Sequence, residues 1–210
     1  MKTFILLLAF STILFISCSS NSTNSPVNSN QIWPLKIGNY WVTMSTTFDS
    51  TNKIIKSEHD SIIVIKDTVI KNETVYIIQS IINGIPSFSI YALNRADGFY
   101  VVDIRKDSVK HTDSILYFLY YKYPGNIGDI FLNGTDTLKI LSVSSVISAM
   151  NTNYTCYAYF NEKQYPNIYY KQNLYLSPGI GPIYNEQFSQ ATGGILYMYS
   201  KTETLSYLVK

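Results

Sequence analysis

The sequence predicts an all-β domain, a curved antiparallel sheet closing into a barrel or sandwich. Tyrosine (19 residues) and β-branched side chains dominate the chain beyond Gln31, and these residue types fit a pleated, half-buried surface. Apolar runs of strand length alternate with short turn clusters. Several clusters contain Asn-Gly or Asp-Gly, at Asn83-Gly84, Asp97-Gly98 and Asn133-Gly134, which accept the positive φ values of tight hairpins.

Each element follows from this punctuation. Pro34 and Gly38 shape a turn that opens a strand over 40–48. Lys71-Asn72-Glu73 separates β-branched runs at 61–70 and 74–82, and Asn83-Gly84 precedes a strand at 88–93. Ala96-Asp97-Gly98 leads into 99–104, and Pro124-Gly125-Asn126 closes 114–121. Asn133-Gly134 opens 137–148, where Val143, Val146, Ile147 and Met150 have helical spacing but the serine- and valine-rich composition favours a strand. Strands at 154–160, 168–176 and 181–188 follow, the last two set apart by Pro178-Gly179. Thr192-Gly193-Gly194 precedes strands at 195–200 and 204–209. The connections are too short for crossover helices, so neighbours should pair antiparallel. The run from Ile115 to Tyr121 is apolar on both faces, which requires cover on both sides.

Ahead of the domain, Lys2 and an apolar run from Phe4 to Ile16 end at Ser17-Cys18. The run is shorter than the ~20 apolar residues a spanning helix needs. It has the layout of a secretory signal and resembles the lipobox of bacterial lipoproteins. The resemblance implies cleavage before Cys18, lipidation of its thiol with attached acyl groups such as palmitate, and anchoring of the chain in the cell envelope at the outer membrane, periplasm-facing or surface-exposed. No Asp follows Cys18 and no acidic run follows it, so the inner-membrane retention and acidic surface-export signals of such lipoproteins are missing. The expected organisation is a signal peptide at 1–17, a lipidated cysteine and polar tether at 18–30, and one all-β domain at 31–210. Serine- and asparagine-rich residues 19–30 bury too little apolar surface to order themselves and reach roughly 20 Å as a flexible coil.

Three segments resemble a group of secreted bacterial lipoproteins of unknown function. Trp33-Pro34-Leu35-Lys36-Ile37-Gly38-Asn39-Tyr40-Trp41 is similar to their "PLxxGxxW" opening. The stretch from Val146 to Tyr154 is similar to their "V-x-V-P-A-G-T-F" strand and turn, without the Pro-Ala-Gly. The third, from Leu176 to Glu186, holds Gly179-Ile180-Gly181-Pro182-Ile183 and resembles their "GVGxVxxE" motif. Turn formation and aromatic packing account for these residues without invoking chemistry.

Composition excludes several functions. Net charge is +2, charged residues are 14% of the chain, and Arg95 and Arg105 stand apart, so the clustered charge that nucleic acid requires is missing. His59 and His111 are the only histidines. Glu58 and Asp60 fall on the opposite strand face from His59, and His111 with Asp113 supplies two ligands where zinc needs three or four. No nucleophile elbow or phosphate-binding glycine loop occurs. Neither a metal, a cofactor nor a catalytic site is expected. Cys156, with no nearby histidine or lysine, reads as a small buried residue.

Asp followed by Ser or Thr recurs at Asp49, Asp60, Asp67, Asp107, Asp113 and Asp136. The pattern resembles an O-glycosylation acceptor of Bacteroidetes periplasmic proteins, but also suits turns that lead into strands. Tyrosines crowd the C-terminal half, and alternation puts Tyr157 beside Tyr159 and Tyr197 beside Tyr199. Core packing is the expected role of these pairs, with stacking on a sugar or a protein partner the alternative.

The leading expectation is a lipid-anchored, non-catalytic β domain that binds a hydrophobic, carbohydrate or protein ligand. An assembly subunit of an outer-membrane complex is the second, and a hydrolase with an unrecognised site the third. Replacing Cys18 with Ala should abolish incorporation of labelled fatty acid and leave the β domain folded. Continued incorporation at the N-terminus of that variant would remove the lipoprotein reading.

Overall fold

The computed structural model describes residues 30–107, 112–134, 136–191 and 194–210. Cys18, the signal segment, nearly all of the tether and His111 lie outside the described residues. Twelve strands and no helix occur among the residues described. They are β1 (Tyr40–Phe48), β2 (Ile54–Ile70), β3 (Glu73–Ile82), β4 (Ile85–Arg95), β5 (Gly98–Asp107) and β6 (Thr112–Lys122). Then come β7 (Ile130–Asn133), β8 (Asp136–Ala149), β9 (Thr152–Gln164), β10 (Ile168–Ser177), β11 (Gly181–Ala191) and β12 (Tyr197–Leu208).

All twelve belong to one antiparallel sheet of order β6-β5-β4-β3-β2-β1-β12-β11-β10-β9-β8-β7. Chain neighbours pair, and β1 pairs with β12. The ladder missing from a closed ring is β6 to β7. Those two strands lie side by side, with Asn133 Nδ2 donating to the Tyr120 carbonyl at 3.3 Å across the gap. The result is a nearly closed up-and-down barrel with a seam.

The expected turns form as their residues require. Asn83 (φ 50°) and Gly84 (φ 80°) make the β3–β4 turn, and Lys71 and Asn72 also adopt positive φ. Three elements differ from the sequence reading. β2 begins at Ile54, seven residues before the expected strand at 61–70, because the far half of β1 pairs with it (Thr46 with Ser57, Phe48 with Ile54). β7 was not expected, because Ile130-Phe131-Leu132 is too short a run to stand out from its flanking turns. The strands expected at 195–200 and 204–209 are one strand, β12. Lys201-Thr202-Glu203 resembles a turn, yet Thr202 pairs with both Ser45 and Asn185 inside a polar stretch of sheet.

One end of the barrel is plugged by the segment before β1. Ile32, Trp33 and Leu35 are buried. Trp33 stacks on Phe99 (centroids 5.0 Å, 18°) and meets the edge of Trp41 at 5.6 Å. Hydrogen bonds fix the segment at both ends. Gly179 N donates to Gln31 O, Asn94 Nδ2 to Trp33 O, Asn39 Nδ2 to Pro34 O and Gly38 N to Val64 O. Trp41 Nε1 donates to Ile180 O at 2.7 Å. The three family-like segments therefore have structural duties. The first is the plug, the second is the β8–β9 hairpin turning at Met150 and Asn151 (φ 52° and 57°), and the third is the β10–β11 hairpin against the plug. Gly181 lets this hairpin approach the plug closely, since a Cβ there would lie 2.8 Å from Trp33 Cδ1 and its φ is +106°.

The main core joins the plug to Val64, Ile78, Ala92, Tyr121, Phe131, Ile140, Tyr159 and Leu176. A second cluster gathers Ala149, Tyr154, Cys156 and Ile183 under Tyr207. A third packs Val75, Leu93 and Val102, beside which Arg95 holds Glu73 through two bonds of 2.8 and 2.9 Å and lies over the rings of Tyr100 and Tyr117. Cover on both sheet faces, expected from the two-faced strands, is supplied by these separate clusters.

Removing the plug ring should be costly. Trp33→Ala should lower unfolding free energy by about 3–5 kcal/mol, measured by urea denaturation, and Gly181→Ala should destabilise in the same direction through the strained φ and the indole contact. A second prediction concerns alkali. Burial pushes the Cys156 thiol up to about 12, and burial with the neighbouring Tyr207 pushes Tyr154 up to about 12, from ordinary values of 9.0 and 10.0. Both neutral forms are favoured in the fold, so their stability contribution is whole below about pH 9 and is lost as pH rises toward 12. Urea midpoints should fall across that window, and Cys156→Ala should flatten the early part of the fall; a flat profile would contradict this burial.

Candidate functional site

The barrel interior is chemically divided. Register places Ile78 opposite both Val64 and Ile90, and Ile62 opposite Trp41. Strands β2 to β6 thus line one wall with Ile62, Ile78, Ile90 and Val101. The wall from β9 round to β1 is polar. Gln172 Nε2 donates to Asn185 Oδ1 at 2.9 Å, Asn161 Nδ2 to Asp136 Oδ2 at 3.3 Å and Ser45 Oγ to Asp60 Oδ2 at 3.0 Å. Thr202 Oγ1 lies 3.2 Å from Ser45 Oγ, and Lys163 forms an ion pair with Asp136.

Two hollows occupy this interior. The apolar one measures about 250 Å³ and is walled by Ile62, Ile78, Phe88, Ile90 and Val101 with Trp33 as its floor. The polar one measures about 330 Å³ and is walled by Asn133, Asp136, Leu138, Asn161, Gln172 and Leu174. Tyr120 and Tyr121 line both. Consecutive strand residues normally face opposite ways. Here Phe99 pairs with Tyr121 and Tyr100 with Leu119, which leaves Tyr120 as an extra residue in a β-bulge. A bulge re-aims side chains, and the two rings stand edge to face at 5.0 Å. Burial raises the Tyr121 phenol far above its ordinary value, so it remains a neutral hydroxyl.

Asn161 is nearly fully buried, and its Oδ1 has no hydrogen-bond partner. The amide orientation is fixed by chemistry, because turning it over would set an acceptor against the Asp136 carboxylate. Such a buried, unpaired acceptor beside a hollow departs from the usual satisfaction of interior polar atoms.

The structure separates the tyrosine candidates. Tyr157 and Tyr159 do share a face, but it is the inner one. Tyr159 is fully buried, donates its hydroxyl to Lys122 O at 2.9 Å, and packs on Tyr121 and Phe131. Half-buried Tyr157 packs on Tyr159 and Tyr123. They are core residues and not an exposed stacking row. Tyr197 is half-buried and Tyr199 exposed, at the bulged start of β12 where Gln187 pairs with Ser200 and Phe188 with Met198. His59 is exposed on β2, with Glu58 and Asp60 on the alternate face. No group of three metal-ligating side chains occurs among the described residues. Asp49 serves its own turn, accepting from Thr51 N, Thr51 Oγ1 and Lys53 N.

The hollows were not readable from sequence. Ile62, Ile78, Ile90 and Val101 look like any core residues, and only the bulge at Tyr120 and the seam leave space between them.

No protein-family model and no curated protein matches this chain. Two solved structures share its fold. One is a protein of Bacteroides fragilis NCTC 9343 described as exported and as having a YmcC-like fold, with TM-score 0.55 and 12% identity over 84% of this chain and 98% of that one. The other is a protein of Parabacteroides distasonis ATCC 8503 described as a lipoprotein, with TM-score 0.54 and 13% identity over 85% of this chain and 99% of that one.

Proposed function

We propose that this protein is an exported, lipid-anchored lipoprotein of the bacterial cell envelope whose barrel interior binds an amphipathic ligand without catalysing a reaction. The hollow carries the reading: an apolar chamber floored by Trp33 adjoins a polar one, with Tyr120 and Tyr121 between them. An acyl chain or other apolar group suits the first, and a hydrogen-bonding head suits the second. About 250 Å³ lies just below the 300–1,000 Å³ range of small-molecule sites, so a segment of acyl chain fits better than a bulky ring system. The lipobox-like Ser17-Cys18 and the descriptions of the two structural neighbours as exported and as a lipoprotein support the address. Acylation of Cys18, palmitate included, and outer-membrane residence belong to the same reading.

A non-catalytic role is supported by the placement of titratable groups. The described histidine is exposed and faces away from its neighbouring acids, and Asp136, the carboxylate that lines the polar hollow, is held by Lys163 and Asn161.

Fatty acids test the proposal directly. A brominated fatty acid should quench the tryptophan fluorescence, and Trp33→Phe, which removes the indole that floors the hollow, should lose most of that quenching. Ser80 and Phe88 also line the chamber. Ser80→Phe fills it and should weaken binding about tenfold while leaving the melting temperature unchanged. Phe88→Ser should weaken binding too, at a position exposed enough to tolerate the change. No quenching by any chain length, or parental affinity in both variants, would refute the site.

A further inference from the structure

The side chains of the polar hollow that carry fixed orientations offer mainly hydrogen-bond acceptors. Asn133, Asp136 and Asn161 line it, and no lysine, arginine or histidine does. Two of its amides are held by partners that can only accept. Asn133 Nδ2 donates to the Tyr120 carbonyl and Asn161 Nδ2 to the Asp136 carboxylate, each at 3.3 Å. Turning either amide over would set oxygen against oxygen. Both therefore direct nitrogen at the protein and carry their oxygen on the other side of the group. Asn161 is 5% exposed, and its Oδ1 has no hydrogen-bond partner.

Charge narrows the choice of occupant. Asp136 is ion-paired with Lys163, and the two are neutral as a unit. A carboxylate or phosphate head would lie among acceptors with no cation lining the hollow, and a buried charge without a partner is costly. An ammonium head would meet a carboxylate that Lys163 already holds, and it would bring in a positive charge that nothing balances. Hydroxyls meet neither obstacle. They donate to amide oxygens, and they also accept from phenols such as Tyr120 and Tyr121, which burial keeps neutral. These two tyrosines border the apolar hollow as well, so a head seated among the amides can leave its chain on the Trp33 side. About 330 Å³ is available to the head, within the range of small-molecule sites.

We infer that the polar hollow recognises an uncharged polyol, the head of a single-chain amphiphile such as a monoacylglycerol or an alkyl glycoside, and prefers it to a carboxylate. This rests on the ligand-binding reading for the seat of the chain and adds the chemical class of the head.

The test uses the chain from residue 18, with Cys18→Ala so that no attached acyl group competes. Every strand and the plug lie within residues 30–210, so this chain holds the whole domain. Brominated fatty acid is bound first, and recovery of tryptophan fluorescence then reports displacement by a monoacylglycerol, an alkyl glucoside or an unbrominated fatty acid of one chain length. The better polyol should displace at a concentration at least about tenfold below that of the fatty acid, and the tighter of the two polyols identifies glycerol or sugar as the source. Asn161→Leu should remove most of that preference while leaving the fatty acid's affinity unchanged. Asn133→Ala, at a half-buried position, repeats the test if Asn161→Leu lowers the melting temperature. Equal affinities of polyol and carboxylate in the parent chain would overturn the inference, since water would then serve Asn161 as well as a ligand does. A preference that survives both variants would overturn it too. Ser80→Phe separates the two readings, because filling the apolar hollow should weaken all three ligands alike and preserve their ratio. Quenching by fatty acid without a head-group preference removes this inference alone, whereas no quenching at all removes the ligand-binding reading with it.

Discussion

The contact on which the rest of the structure depends is Trp33 stacked on Phe99 and edged by Trp41. A twelve-stranded up-and-down sheet has a wide interior, and side chains from the wall alone do not fill a barrel of many strands. The segment before β1 supplies the missing volume at one end. Its backbone is bonded to β2, to the end of β4 and to the β10–β11 hairpin, so a single short segment ties together strands far apart around the ring. The last strand is drawn in as well, because Lys210 N donates to Asn39 Oδ1 at 3.0 Å. The segment before β1 and the residue that follows β12 are thereby locked where those two strands meet.

Filling one end has a consequence for the other. Beyond Trp33 the wall strands have no central partner, and the seam between β6 and β7 removes the constraint that a complete ladder would impose. The extra residue at Tyr120 lies on β6, beside that seam. Space remains on both sides of Tyr120 and Tyr121, apolar toward β2 to β5 and polar toward β8 to β10. Burying an amide such as Asn161 with one acceptor unpaired costs on the order of 1–3 kcal/mol. Its Nδ2 bond to Asp136 holds the amide at the edge of the polar hollow.

Much of the architecture was legible because turn chemistry is local. Asn83-Gly84, Lys71-Asn72 and Asp97-Gly98 state where the chain reverses, and β1 runs over the residues its pattern indicates. Elements failed where the cue was tertiary. Ile130–Asn133 is a strand because β8 offers it a ladder. Lys201-Thr202-Glu203 stays extended because Ser45 and Asn185 flank Thr202. The site was still less legible. The crowding of tyrosines was visible, but whether Tyr159 or Tyr199 meets solvent is set by the side of the sheet and by a bulge, and neither is written in residue type. Tyr120, which borders both hollows, stood out in no motif.

Exposed apolar side chains are ordinary when scattered, and their meaning lies in their arrangement. The meander makes that arrangement interpretable. Because hairpins alternate between the two ends, a residue's end is decided by its place in the chain, and apolar tips on successive odd-to-even hairpins must share one rim. Pro86 and Pro166 shape two of these tips and leave the adjacent Ile85 and Tyr165 exposed. The plugged end buries Phe99, Trp41 and Tyr121 around Trp33 and also exposes Ile37, Val69, Ile127 and Ile130. The apolar hollow runs from Trp33 at the plug to Phe88 beside the β3–β4 tip.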